Sequence, residues 1–167
     1  MFQVNDVIVY GKNGICRVEE IGTLSLSKVD RDRLYYTLRP IYQREAVIYV
    51  PVDNSKTIMR PVITKEEAQQ LIDEIPEIQT VWIVNERERE SQYKSALQTC
   101  DCRELVKIIK TLYQRKKTRI EDGKKVTVVD ERYFKNAEDQ LYGELAYVLN
   151  IDKSAVSSYI TDSIAGK

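Results

Sequence analysis

The sequence predicts an α+β chain in two parts, a small five-stranded β module over residues 1–62 and an all-α domain of about five helices over residues 63–167. Three observations carry that prediction. Up to residue 62 the apolar residues come in short alternating runs separated by turn residues, as in strands with one buried face. From Thr64 the apolar period lengthens to about 3.6, the spacing that lines one face of a helix. The later apolar runs also open behind residues able to cap a helix: Thr64, Asn85, Asp101, Asp130 and Asp152.

In the first part, residues 6–10 (DVIVY) are β-branched and run into GKNG, where Gly11 and Gly14 can supply the positive φ of a tight turn. Residues 15–21 (ICRVEEI) are the partner strand. Residues 34–39 set Leu34, Tyr36 and Leu38 against Tyr35, Thr37 and Arg39, and residues 46–50 set Ala46, Ile48 and Val50 against Val47 and Tyr49. Pro51 ends that strand for want of a backbone donor, and residues 57–59 supply the fifth. Five short strands in this space predict a strongly bent sheet or partly open barrel, a binding module with exposed edges. The polar loop at 23–32 joins two strands expected to pair as a hairpin.

The second part opens with a capping box, Thr64 with Glu67, and its first helix stops before Pro76. The apolar segment 78–84 holds Trp82, the single tryptophan, best explained as a core or interdomain anchor. Asn85 opens a helix over residues 86–98, and Asp101 opens the stretch DCRELVKIIKTLYQRKKTR, around which the domain is expected to be organised. Its apolar face is Leu105, Ile108, Ile109, Leu112 and Tyr113. From Lys107 to Arg119 it holds six basic residues and no acid. A turn around Gly123 follows, with room for an extended piece. Asp130 is expected to cap a helix over residues 131–149, and Asp152 a short last helix with Val156, Tyr159, Ile160 and Ile164 inward.

Lys plus Arg and Asp plus Glu number 26 each, so nothing global points to an anionic partner and any electrostatic argument is local. Between residues 103 and 125, however, nine basic residues face three acids. Cys16, Cys100 and Cys102 are an odd set with no disulfide framework, and without histidine they suggest no zinc site. The chain is expected to carry no cofactor and no metal. GKNG is too short and too strand-bound for a phosphate loop. With no catalytic residue singled out, an enzyme is the reading least favoured. The absence of a leader or a long apolar run, with cysteines that form no disulfide framework, predicts a cytoplasmic protein with no membrane partner. A monomer is expected rather than an obligate oligomer.

The opening MFQVNDVIVYGKNGICRVEEI, Tyr49-Val50-Pro51, Tyr93-Lys94, Leu112-Tyr113 and Gly143-Glu144-Leu145-Ala146 together resemble the CarD/CdnL family of bacterial transcription factors. The likeness spans most of the chain and is most specific in the opening. It implies a Tudor-like, SH3-like β module that binds the β subunit of RNA polymerase. It also implies a helical domain that contacts promoter DNA without sequence specificity near the upstream edge of the melted bubble, stabilising the open complex.

Carried over by position, the resemblance implies a polymerase-facing surface of Leu24, Leu26, Val47 and Tyr49. It implies DNA contacts from Lys94, Lys110 and Arg115, to which the basic run adds Lys116, Lys117 and Arg119. Many members carry a tryptophan wedge four residues before the Tyr-Lys pair. Here that position is Arg89, and with Arg87 it belongs to the DNA face, although Glu88 and Glu90 offset both charges. Two other readings stand beside this one. One is a protein-interaction adaptor that binds no DNA. The other is a helix-turn-helix over residues 144–160, whose outward Lys153, Ser154, Ser157 and Ser158 lack the side chains that read bases bidentately.

Overall fold

The alternating first part forms an antiparallel five-stranded sheet in the computed structural model, which describes residues 1–26, 31–80 and 85–166. The strands are β1 (Val7–Tyr10), β2 (Ile15–Gly22), β3 (Tyr35–Pro40), β4 (Ile48–Pro51) and β5 (Met59–Pro61), in the spatial order β4-β3-β2-β1-β5. Among the described residues β4 and β5 do not pair with each other, so both remain edges. β2 and β3 form the expected hairpin, with a bulge between Val18 and Glu20 that adds local twist. One face buries Ile8, Cys16, Val18, Tyr36, Leu38 and Val50. Burial pushes the Cys16 thiol up to about 11, which keeps it protonated as a small apolar group.

Three strands are displaced from their expected places, β4 and β5 because a turn claims the end residues. Leu34 is not on the inner face but exposed, since β3 starts one residue later. The Ala46 amide is taken by the Gln43 carbonyl at 2.9 Å, so β4 begins at Ile48. The side chain of Asn54 donates to the Thr57 carbonyl at 2.9 Å, holding Thr57 in a turn and moving β5 onto Met59–Pro61. Pro61 is tolerated there because β5 is an edge.

Gly11 sits at φ +48°, and its amide donates to the Ile58 carbonyl at 2.9 Å, joining the β1 turn to the approach to β5. A Cβ at this position would lie 2.5 Å from Thr57 Cγ2, whereas at Gly14, φ +73°, nothing lies within 4 Å. Gly11→Ala therefore combines backbone strain with a clash and is expected to destabilise the module by about 2 kcal/mol, with the double change Gly11→Ala, Thr57→Ser, which removes the clashing methyl, costing about half of that. Amide exchange of the β1–β5 ladder measures both. Equal effects would remove the Thr57 contact from the account.

The second unit, Ile63–Lys167, is separate from the first, Met1–Val62. It contains α1 (Lys65–Glu74), α2 (Glu86–Gln98), α3 (Cys102–Glu121), α4 (Val128–Leu149) and α5 (Val156–Ala165). Thr64 and Glu67 make the reciprocal capping box before α1. Asn85 caps α2 through the Arg87 amide, and Asp101 caps α3 through the Arg103 and Glu104 amides. The expected Asp130 cap is incorrect. Thr127 Oγ1 accepts from the Asp130 amide, so α4 starts three residues earlier and no strand lies between Gly123 and α4. Asn150, in the left-handed conformation at φ 56°, ends α4, and Asp152 caps a short 3-10 turn leading into α5. The organising helix is α4 rather than α3, since α4 packs against all four others. Its buried Tyr133, Ala137, Leu141, Leu145 and Leu149 meet Ala68 and Ile72 of α1, Tyr93 of α2, Leu105, Ile108 and Leu112 of α3, and Val156 of α5 in one core.

Candidate docking edge and nucleic-acid interface

On the β module, Val47 and Tyr49 are exposed at the β4 edge, and Leu26 is exposed and Leu24 half-buried beyond β2. Of these four, Leu24 and Tyr49 are linked through Thr37. Leu24 lines a groove of about 280 Å³ together with Val4, Glu20 and Thr37, and Thr37 is the cross-strand partner of Tyr49. Glu19, in the same groove, is bonded to Arg39 by two hydrogen bonds of 2.7 and 3.2 Å, and the Arg39 guanidinium holds its carboxyl below the ordinary range. The surface is thus apolar along the strand edge with carboxylates beside it. The unpaired side of β4 offers backbone groups to another strand.

In the helical unit the eight cations of the predicted DNA face divide into two groups. Four are engaged within the protein. Arg89 bonds both carboxylate oxygens of Glu86, at 3.0 and 3.1 Å, and donates to the Tyr93 hydroxyl at 3.1 Å. Arg115 Nε donates to Asp130 Oδ2 at 2.6 Å while its terminal nitrogens approach Glu86 at 3.3 and 3.4 Å. Lys110 Nζ donates to the carbonyls of Ile75 and Ile78 at 2.7 and 2.5 Å, closing the turn after α1. Arg119 Nε donates to the Lys125 carbonyl at 2.8 Å, holding the α3–α4 turn.

The other four cations are exposed. Arg87, Lys94 and Lys117 make no side-chain hydrogen bond or ion pair among the described residues, and Lys116 is near enough to Glu138 to act on it electrostatically. Trp82 lies outside the described residues.

Glu86 is the hub joining α2 and α3, its carboxyl held below the ordinary range first by the Arg89 hydrogen bond and further by the Arg115 charge. Glu90 accepts from both Arg132 and Tyr133 on α4. Sequence reasoning missed these acids as partners of the cations, the buried Asp130 above all, and the buried Glu144. Glu144 accepts from the Ile63 amide at 2.9 Å and from the Cys102 thiol at 3.3 Å. A carboxylate inside the apolar run GELA was the available signal. No group of residues suited to a metal occurs among the described residues, and no described helix is long and apolar enough to cross a membrane.

Residues 2–63 match the family model described as the CarD-like/TRCF RID domain. Residues 70–161 match that of the CarD C-terminal domain. The first match covers the sheet with its exposed edge, and the second covers all of α2, α3 and α4 with their cations. The chain belongs to the CarD/CdnL family, non-enzymatic transcription factors that interact with RNA polymerase through this first domain.

Proposed function

We propose that the β module docks on the polymerase β subunit through Leu24, Leu26, Val47 and Tyr49, and that the helical unit contacts promoter DNA through exposed cations, modulating open-complex stability. The observation that carries this reading is the split among the cations. Arg87, Lys94, Lys116 and Lys117 remain available to phosphates, while Arg89, Lys110, Arg115 and Arg119 hold the helices that present them. Lysines and an arginine that meet phosphates position DNA without specifying sequence. Four such contacts give modest affinity. Tethering to polymerase raises the local concentration enough for them to act. The protein is a monomer in this reading, with the β4 edge reserved for polymerase.

Arg89 does not replace the tryptophan wedge in this scheme. Its side chain is 15% exposed and serves Glu86 and Tyr93, so stabilisation of the bubble comes from phosphate contacts rather than from prising open a base step. The helix-turn-helix reading gains nothing from the geometry, because Lys153, the one cation of residues 150–166, is paired with Asp139 at 3.5 Å.

The test is retention of full-length protein on the isolated β-subunit lobe beside its Tyr49→Glu variant. Tyr49 is exposed, so the variant keeps its fold while placing charge at the centre of the apolar edge. The expected loss is about tenfold or more. Equal retention of the two proteins would remove the β4 edge from the interface, and no retention of either would remove the polymerase-docking role from this surface altogether.

A further inference from the structure

The outer face of α3 carries a stripe that neither packing nor internal ion pairing uses. Tyr113 is 62% exposed and Ile120 57% exposed. They are two helical turns apart, with Lys116 and Lys117 between them at the spacing that puts all four on one side of the helix. Among the described residues Tyr113 makes no ring contact and its hydroxyl no hydrogen bond. Residues 107–119 hold no acid, and among the described residues the lysines are offset only by Glu121, four residues after Lys117, and by Glu138 of α4, on which Lys116 acts.

An aromatic ring standing in water beside lysines is an arrangement that suits single-stranded nucleic acid. The cations follow the backbone, and the ring stacks on a base whatever its identity, since every base has a π face. An intact duplex supplies phosphates to the lysines but hides its base faces in the stack, leaving Tyr113 idle. An acidic protein segment would likewise satisfy the lysines without offering a flat ring. We infer that this face is a platform for unpaired DNA, with Tyr113 stacked on an exposed base and Lys116 and Lys117 on the flanking phosphates. The inference rests on the DNA-contacting role proposed above and narrows its ligand from DNA in general to a strand released from the duplex.

Fluorescence anisotropy of full-length protein at low salt, with a labelled mixed-sequence single strand and with the duplex of the same sequence, tests it. The wild type is expected to prefer the single strand, and Tyr113→Ala to weaken single-strand binding about tenfold while leaving duplex binding unchanged. Tyr113→Phe should keep the preference, and Lys117→Ala should weaken both forms alike. Equal binding of the two forms by the wild type, or an equal loss from both in Tyr113→Ala, overturns the platform while leaving the DNA-contacting role standing. Binding of neither form overturns that role, and the platform with it. In that case capture of polyglutamate by the same protein identifies an acidic partner instead.

Discussion

Arg115→Ala is expected to destabilise the helical unit by about 4 kcal/mol, because it leaves a carboxylate buried without its partner. Asp130 lies in the first turn of α4 with its side chain 7% exposed, and the Arg115 Nε–H is bonded to it at 2.6 Å. The same guanidinium reaches Glu86 at the start of α2, so one side chain ties three helices. The contact with Glu86, itself 67% exposed, contributes little. Most of the loss therefore resides at Asp130. Urea denaturation followed by helical circular dichroism measures it.

The accompanying variants separate charge from shape. Arg115→Ala with Asp130→Asn should recover about half of the loss, since an amide costs less to bury unpaired than a carboxylate. Arg115→Lys should lose about 1–2 kcal/mol, because one ammonium cannot serve both acids as a planar guanidinium does. Lys117→Ala, by contrast, should leave stability within about 0.5 kcal/mol of the wild type. Unchanged stability in Arg115→Ala would return that residue to the exposed, DNA-facing group.

These contrasts mark what the sequence makes legible. Strand and helix identity followed from period, and the caps at Thr64, Asn85 and Asp101 could be read because each stands alone before its apolar run. The cap of α4 could not, because Thr127 and Asp130 stand three residues apart and each can begin a helix. The β-branched pair Val128 and Val129 made the first turn look extended, although both are helical. Charge counting likewise found the basic face but could not divide it. The acceptors of Lys110 lie on carbonyls 32 and 35 residues away, and Glu86 is 29 residues from Arg115. Such partners are set by helix packing, which periodicity within one helix does not encode. Strand ends were misplaced for a different, local reason, since Asn54 and Gln43 form turns that compete with the ladder.

Glu144→Ala is expected to cost about 3 kcal/mol, also within the helical unit. The residue is 2% exposed on α4, in the face that otherwise carries Leu141, Leu145 and Ala146. Its carboxylate accepts from the amide of Ile63, just before the α1 cap, and from the thiol of Cys102, the first residue of α3. Two helix N-terminal regions thus converge on one buried anion, and their dipoles favour the charge that burial opposes. Removing it leaves the Ile63 amide without this acceptor and opens a cavity in the core. Glu144→Gln keeps the volume and one acceptor oxygen but gives up the charge, and it should lose about 1–2 kcal/mol. The ranking of the two in urea denaturation decides what holds the junction. A glutamine variant as unstable as the alanine one would assign the stabilisation to the charge at the helix ends. A glutamine variant as stable as wild type would assign it to the hydrogen bonds and packing. An alanine variant as stable as wild type would remove Glu144 from the account of how α1 and α3 are fixed to α4.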